Sequence, residues 1–279
     1  MSADRLSAGL QGVAPLPGVP KPDPVLVLDG VQRSFGGLQA VDVAHLEFPR
    51  RAITALIGPN GAGKTTLFNL LTGFDRADAG AWAFDGRPLQ GKRAHQVARA
   101  GMVRTFQLTK ALSRLSVLDN MLLAAPGQRG EHLGGALFGR WRAQEAAHRQ
   151  EAEALLGRFG LAPLRDQFAG TLSGGQRKLL EMARALMAHP RLLMLDEPMA
   201  GVNPALRESL LEHIEGIRRE GATVVFIEHD MDVVMGSSDW VVVMSQGKVI
   251  AEGPPAAVGA NPEVIDAYLG RERGQGVEG

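Results

Sequence analysis

The 279-residue sequence predicts an α/β protein in which a mainly parallel β-sheet is interrupted by a helical insert. The apolar runs "AITALIG", "LLMLDE" and "TVVFIEH" are typical of strands that a parallel sheet buries on both faces. Nearer the N-terminus, "VLVLDGVQRSF" and "VDVAHLEF" alternate apolar and polar residues, which predicts an antiparallel β subdomain. From about residue 108 to 175 the pattern is helical, which predicts an inserted α-helical subdomain.

The other elements follow from the same periodicities. Short strands are predicted at 79–85 and 102–107, and a helix over 64–72 follows the first buried strand. In the insert, "SVLDNMLLA" is a short helix that its serine can cap, and "WRAQEAAHRQEAEALLGRFG" is a longer, charged one. An amphipathic helix is predicted over 204–219. The segments "WVVVMS" and "KVIAEG" are predicted as strands joined by a turn, and "NPEVIDAYLG" as a terminal helix.

Composition and the chain ends narrow the class of protein. Residues 1–24 are rich in proline and glycine, which predicts a disordered tail before a main domain at 25–253 and a C-terminal helix and tail at 254–279. Lysine plus arginine equals aspartate plus glutamate at 30 each, which argues against a nucleic-acid partner. The chain has no cysteine for disulfides or thiolate metal sites. No apolar run approaches ~20 residues, so we expect a soluble cytoplasmic protein that serves a membrane only by docking.

Residues 58–65, "GPNGAGKT", fit the phosphate loop G-x-x-x-x-G-K-[ST], placed between a buried strand and a helix. The glycines let backbone N–H groups approach phosphates, Lys64 supplies positive charge and Thr65 offers a hydroxyl to Mg²⁺. An ordinary glycine-rich turn is the alternative, but lysine, threonine and setting coincide. We therefore predict a P-loop NTPase core that binds ATP and Mg²⁺. The predicted nucleotide-binding residues are Gly58, Pro59, Asn60, Gly61, Ala62, Gly63, Lys64, Thr65 and Thr66.

Two acidic residues end the buried strand "LLMLDE". Asp196 suits a metal-binding carboxylate, because ligands of α/β sheets lie beyond the C-terminal ends of the strands. Glu197 is next in sequence, points elsewhere, and is predicted to polarise the attacking water as a general base. Alone, the pair would be two acids at the solvated end of a strand. Beside a phosphate loop, we favour the catalytic interpretation.

Three further side chains are weaker candidates. His229 ends a buried strand and can hydrogen-bond the γ-phosphate or the water, although strand-end histidines are also ordinary. Gln107 lies where the core gives way to the insert, within reach of both metal and water. Phe35 precedes two glycines and can stack on a base, the alternative being a core phenylalanine.

A second glycine loop, "LSGGQ", opens a helix at the end of the insert. Ser173 and Gln176 have the spacing of a capping box, but a capping box does not need Gly174 and Gly175 between its ends. The glycines permit close approach at a helix N-terminus that favours anions. Because the loop lacks a lysine and residues 58–66 already hold this chain's nucleotide, we predict that it meets a nucleotide held by another molecule. Two subunits, head to tail, would then sandwich two ATP molecules.

These motifs, in the order "GPNGAGKTT", "RTFQ", "LSGGQ", "LLMLDEP" and "EHD", resemble those of the ATP-binding cassette (ABC) ATPases over about residues 25–253. The resemblance implies ATP-driven dimerisation with a second ATPase subunit, either the same or a related chain. It places Phe35 in the aromatic A-loop position and Gln107 in the Q-loop. It also implies that Glu197 is the catalytic base and His229 the switch histidine.

Longer phrases, among them "VRTFQLTKALSRLSVLDNMLLA" and "LDEPMAGVNPAL", resemble the ATPases of branched-chain amino acid importers and their urea and amide relatives. That resemblance implies transmembrane permease subunits as partners, a solute-binding protein acting indirectly, and a peripheral position on the inner face of the cell membrane. We expect a groove near residues 107–122, offering Leu115, Leu118, Met121 and Leu122, to receive a short helix of the permease.

Three alternatives remain open at this point. A non-transport soluble ABC ATPase would generally have two cassettes or a long coiled-coil insert. A binding module without turnover should lack the catalytic base or the switch histidine. An exporter ATPase would share the chemistry and differ only in its membrane partner.

Overall fold

The computed structural model describes residues 9–105, 112–127 and 140–272. In chain order the strands are β1 (Pro24–Phe35), β2 (Leu38–Pro49), β3 (Ile53–Ile57), β4 (Ala79–Phe84), β5 (Arg87–Pro88), β6 (Met102–Arg104), β7 (Leu192–Asp196), β8 (Thr223–Ile227), β9 (Trp240–Ser245) and β10 (Lys248–Gly253). The helices are α1 (Lys64–Leu71), α2 (Ala94–Arg99), α3 (Val117–Ala124), α4 (Arg140–Arg158), α5 (Gly174–Leu186), α6 (Pro204–Arg219), α7 (Met231–Ser237), α8 (Pro255–Gly259) and α9 (Pro262–Glu272).

The main sheet has six strands in the order β10-β9-β3-β8-β7-β6. Its strands from β9 to β6 pair in parallel, and β10 adds an antiparallel edge. Every residue of β3 and β8 is buried, as expected from their unbroken apolar runs. A separate antiparallel sheet has the order β2-β1-β4-β5. The predicted α/β class, with a mainly parallel sheet and an antiparallel β subdomain, is confirmed.

Two hydrophobic layers cover the two faces of the main sheet. Successive strand residues point to opposite faces, so Leu192 and Met194 join the layer shared with the antiparallel sheet and α1. Leu193 and Leu195 join the other layer, which includes residues of α3 to α7. The strands are therefore buried on both sides, and their C-terminal ends form one edge where loops carry polar residues.

The described residues between β6 and β7 are mostly helical. Ser116 caps α3 by accepting a hydrogen bond from the Asp119 backbone N–H at 3.0 Å, as the sequence predicts. Leu118 and Met121 are 7 % and 0 % exposed and pack in the core. The expectation that Leu118 lines a docking groove is therefore wrong, because its side chain faces inward. The exposed apolar residue of this helix is Leu123, at 58 %.

The N-terminal segment corrects a second expectation, because residues 9–24, although mostly exposed, bury Leu10 and Lys21 against the rest of the fold. Leu10 is 2 % exposed in the layer beneath the antiparallel sheet. The Lys21 ammonium donates to the Glu252 carboxylate at 2.5 Å, and both side chains are fully buried. Glu252 also accepts hydrogen bonds from the Val19 backbone and, at 2.9 Å, from the Trp240 indole. A single lysine among prolines and glycines has no periodicity, so sequence patterns could not reveal this packing; residues 1–8 lie outside the described residues.

Removing residues 1–22 is expected to lower the melting temperature by at least about 5 °C, which corresponds to roughly 2 kcal/mol for a chain of this size. The truncation exposes apolar surface covered by Leu10 and leaves Glu252 buried without its lysine, and losing one partner of a buried pair costs about 3–5 kcal/mol. Thermal unfolding followed by circular dichroism is the measurement. Removal of residues 1–8 alone, which keeps Leu10 and Lys21, is the matched control. Equal melting temperatures for all three proteins would show that the segment adds no stability.

Candidate nucleotide site

Four strands of the main sheet deliver the candidate residues to one edge. The loop at 58–63 follows β3, and the pair Glu228-His229 follows β8. Asp196 ends β7, and Arg104 ends β6. Because β3, β8, β7 and β6 are consecutive neighbours and all parallel, these residues share the C-terminal edge of the sheet. The site predicted at the ends of separate buried strands is thus a single region of the fold.

The loop between β3 and α1 has the geometry of a phosphate cradle. Gly58, Gly61 and Gly63 have φ angles of 143°, 77° and 98°, which L residues with side chains rarely adopt. A Cβ at Gly58 would collide with the carbonyl oxygen of Met244, and one at Gly63 with that of Ala40. The N-terminus of α1 has no side-chain cap. Glycine is therefore required here, and the helix presents its backbone N–H groups to an anion.

Lys64 and Thr65 stand in the first turn of α1. The Lys64 ammonium donates to the carbonyl oxygens of Gly58 at 2.7 Å and Pro59 at 3.1 Å, so it lies across the loop. Thr65, at the same end of the helix, is exposed. A cation over an uncapped helix N-terminus fits the polyphosphate of a nucleotide.

Asp196 offers an oxygen ligand that suits Mg²⁺, which binds proteins through one or two carboxylates and keeps several waters. Its Oδ2 accepts a hydrogen bond from Arg104 Nη2 at 2.7 Å, and the two side chains are 9 % and 7 % exposed. The described ranges contain no group of three histidine, cysteine, aspartate or glutamate side chains that could hold a metal together. A Mg²⁺ at this edge would accordingly depend on Asp196, Thr65 and ligands from outside this set.

Glu197 has an unusual backbone conformation, with φ at 49° in the left-handed region that favours glycine. Its N–H donates to the Ile227 carbonyl at 3.1 Å, and its own carbonyl accepts from Lys178 Nζ at 3.0 Å. Lys178 lies on α5 and also donates to the Pro198 carbonyl at 3.0 Å, and burial lowers its pKa. Strained residues of this kind concentrate at functional sites. The strained backbone of Glu197 is held by β8 on one side and by the helix of the second glycine loop on the other.

The two residues after β8 differ in environment. The His229 side chain is 66 % exposed, and its Nδ1 lies 3.7 Å from Glu228 Oε2. Glu228 is buried, which raises its pKa, and its carboxylate accepts from the Met199 backbone N–H at 2.8 Å. His229 is thus accessible at the site edge, while Glu228 ties β8 to the segment after Glu197. His229 was a candidate from the sequence and Glu228 was not, because the only signal for Glu228 was its neighbour.

The predictions for Phe35 and Gln107 have different outcomes. Phe35 is 47 % exposed, with the Arg33 guanidinium carbon 4.5 Å from its ring centroid, so the alternative of a core phenylalanine is wrong. An exposed ring can stack on a base, which stays a prediction. Gln107 lies outside the described residues, as do the neighbouring positions 106 and 108–111.

The second glycine loop forms the capping box that its sequence predicts. Ser173 Oγ accepts from the Gln176 N–H at 3.2 Å, and Gln176 Oε1 accepts from the Ser173 N–H at 2.9 Å. A Cβ on Gly174 would meet open space, whereas one on Gly175 would press on the Leu206 side chain of α6. The small size of Gly175 therefore serves packing within the chain, and Gly174 is the position open to an external group.

A cleft of about 360 Å³ separates this loop's helix from the end of β7. Its lining includes Gly174, Lys178, Asp196 and Glu197, but none of residues 58–66. Through Gly174, the second glycine loop therefore borders the same cleft as the acidic pair.

The sheet edge, with its phosphate loop and the carboxylates of Asp196 and Glu197, defines a P-loop nucleotide-binding protein. The model of the ABC transporter family matches residues 41–200, and that of the branched-chain amino acid ATP-binding cassette transporter family matches residues 248–273. Among similar proteins, the probable branched-chain amino acid transport ATP-binding protein of Archaeoglobus fulgidus is 40 % identical over 248 residues, which cover 89 % of this chain and 96 % of the relative. The high-affinity branched-chain amino acid transport ATP-binding protein of Escherichia coli K12 is 41 % identical, covering 88 % and 98 %.

Solved structures agree with these matches. A nucleotide-free ATP-binding cassette from an ABC transporter has a TM-score of 0.76 at 34 % identity, covering 88 % of this chain and 98 % of its own. An ATP-binding cassette in its ADP conformation has a TM-score of 0.77 at 35 % identity, covering 88 % and 99 %. The chain belongs to the ATP-binding cassette family and is an ATPase. None of the helices in the described ranges is long and apolar enough to cross a membrane.

Proposed function

We propose that this chain is the ATP-hydrolysing subunit of an importer for branched-chain amino acids or related small solutes. The supporting observation is the match of residues 248–273 to the branched-chain family, beyond the general cassette at 41–200. It works as a peripheral subunit on the inner face of the cell membrane, bound to transmembrane permease subunits and served by a solute-binding protein.

Uptake of labelled leucine by cells tests this function. Deleting the gene should abolish most of the uptake, and restoring the wild-type gene should recover it, whereas restoring the Lys64→Ala variant should not. Labelled urea and acetamide are measured in parallel, because the nearest alternative cargoes are small amides. Unchanged uptake of all of these solutes in the deletion strain would contradict the importer assignment.

At the site, each residue receives a role in hydrolysis. The loop at 58–66 holds the ATP phosphates, with Lys64 matching the charge of the β- and γ-phosphates, and Phe35 stacks on the base. Thr65, Gln107 and Asp196 would hold Mg²⁺, which would neutralise charge on the phosphates. Glu197 takes a proton from the attacking water as general base, and His229 hydrogen-bonds the γ-phosphate or that water.

Dimerisation completes the site in this proposal. The loop formed by Ser173, Gly174, Gly175 and Gln176 faces the γ-phosphate held by a second ATPase subunit, the same or a related chain, in a head-to-tail pair. Support comes from the open space beside Gly174 and from the absence of residues 58–66 from the lining of the cleft beside this loop. ATP then joins the subunits, and hydrolysis separates them.

Ser173→Arg is expected to leave ATP binding within about twofold of wild type while reducing hydrolysis at least about 100-fold. The arginine fills the loop that meets the partner's phosphate, and the phosphate loop of its own chain stays intact. Calorimetric titration with ATP and a phosphate-release assay measure the two effects. Ala147→Arg adds the same charge at an exposed position of α4, away from both glycine loops, and serves as the control. Loss of ATP binding by the Ser173 variant would show that the loop serves its own nucleotide.

Leu123→Asp tests whether the permease contacts α3. Leu123 is exposed on α3, so the substitution should leave the melting temperature and basal ATPase activity nearly unchanged while co-purification with the permease falls severalfold. Leu118→Asp is the contrasting variant, because it places a charge in the core and should lower the melting temperature. Normal co-purification of the Leu123 variant would place the docking surface away from this helix.

A further inference from the structure

Arg104 stands between two elements of the proposed metal site. It ends β6 and reaches the Asp196 carboxylate on β7 with one N–H group, at 2.7 Å. With another it donates to Asn69 Oδ1 on α1, at 2.6 Å. Thr65, another proposed metal ligand, lies four residues before Asn69 and therefore one turn away on the same face of α1. The guanidinium thus lies between the helix and the strand that would hold Mg²⁺.

The surroundings strengthen the ion pair between Arg104 and Asp196 and make it oppose a second cation. The side chains of Arg104 and Asp196 are 7 % and 9 % exposed, so water screens their charges little. The guanidinium carbon is also 5.6 Å from the centroid of the Phe68 ring, which borders it on the α1 side. A second cation at the same carboxylate would face this fixed positive charge at short range. Metal binding at Asp196 is therefore opposed unless further negative charge arrives.

We propose that Arg104 is a positioning residue that holds the Asp196 carboxylate in the absence of nucleotide and keeps it a weak metal ligand until nucleotide phosphates are present. This inference rests on the proposed role of Asp196 in holding Mg²⁺. The phosphates supply the negative charge that offsets the arginine, so metal and nucleotide bind together rather than in sequence. Since binding free energies are linked reciprocally, Arg104 increases the dependence of each ligand on the other.

Mn²⁺ binding to the purified full-length protein, followed by electron paramagnetic resonance without nucleotide, tests this role. Arg104→Met and Arg104→Gln remove the charge and should bind Mn²⁺ at least about tenfold more tightly than wild type. Arg104→Lys keeps the charge and should stay weak. If Arg104 had a purely structural role, all three variants would instead have lower melting temperatures and would bind Mn²⁺ no more tightly than wild type. If the methionine variant does not fold, the glutamine variant carries the same prediction.

Two controls fix where the metal binds. Adding Asp196→Asn to Arg104→Met or Arg104→Gln should remove the gain in Mn²⁺ affinity. A gain in affinity that survives would overturn the proposal. Arg50→Met changes the net charge equally, but Arg50 pairs with Asp23 and Asp85 near the start of β3, at the opposite end of the sheet. This variant should leave Mn²⁺ affinity unchanged. If it binds Mn²⁺ more tightly than wild type, the effect of the Arg104 variants is due to net charge alone, and the proposal is overturned.

The same titration with ADP present separates this inference from the proposed function. Wild type should then bind Mn²⁺ far more tightly, and Asp196→Asn should lose that gain. If Asp196→Asn has no effect with ADP, the metal-binding role of Asp196 in the proposed function is wrong, and the inference falls with it. If it has the expected effect but the neutral Arg104 variants bind Mn²⁺ no more tightly than wild type without nucleotide, the inference about Arg104 alone is wrong.

Discussion

Glu197→Gln should hydrolyse ATP about 10²–10⁴-fold more slowly than the wild-type protein, which is the usual contribution of a general base. The amide keeps the shape of the side chain and cannot take a proton from water. The backbone contacts of Glu197 to Ile227 and Lys178 do not involve the side chain, so the strained conformation should persist. ATP affinity and melting temperature should stay close to wild type. A phosphate-release assay at saturating ATP gives the rate.

A matched control separates the carboxylate at this position from carboxylates in general. Glu212→Gln makes the same chemical change at an exposed position of α6 and should leave the rate unchanged. Hydrolysis by the Glu197 variant at more than about a tenth of the wild-type rate would assign the base to another group.

Lys64→Ala should weaken ATP binding by at least about 100-fold, equivalent to roughly 2.8 kcal/mol. The ammonium lies across the phosphate loop on the carbonyls of Gly58 and Pro59, so it already stands at the loop that would hold the phosphates. Backbone N–H groups alone leave the β- and γ-phosphate charge poorly compensated. Calorimetric titration with ATP measures the loss.

Lys92→Ala, at an exposed position before α2, removes the same charge away from the loop and should bind ATP normally. Near wild-type affinity of the Lys64 variant would contradict the placement of this lysine on the nucleotide.

Local motifs could be predicted from the sequence because in them the local pattern and the tertiary structure have the same cause. The phosphate loop needs glycines at positive φ and a helix start, and both leave a mark in a few consecutive residues. The position of Asp196 and Glu197 at the sheet edge was predictable because buried parallel strands end at one edge, so polar residues after separate apolar runs converge there; their roles stay predictions. The capping box of Ser173 and Gln176 is likewise a local motif that the structure reproduces.

Contacts that join distant parts of the chain through one side chain could not be predicted from the sequence. Arg104 was visible only as a residue within a strand, and its partner Asp196 lies 92 residues away. Lys178 was one of several charges on a helix, yet it holds the Glu197 carbonyl. Lys21 pairs with Glu252 across 231 residues, and no periodicity announces such a pair. Leu118 was expected on a surface because an apolar helix face does not reveal whether core or partner covers it.

The mass of the Glu197→Gln protein in ATP, measured by light scattering on a sizing column, tests the clamp most directly. With ATP and Mg²⁺ the variant should elute at twice the mass that it has with ADP, because hydrolysis no longer releases the pair. Adding Ser173→Arg should return it to the single mass while ATP stays bound. A dimer that persists when Ser173 is replaced would contradict a head-to-tail pair joined through this loop, and a single mass with ATP would contradict pairing of this chain with itself.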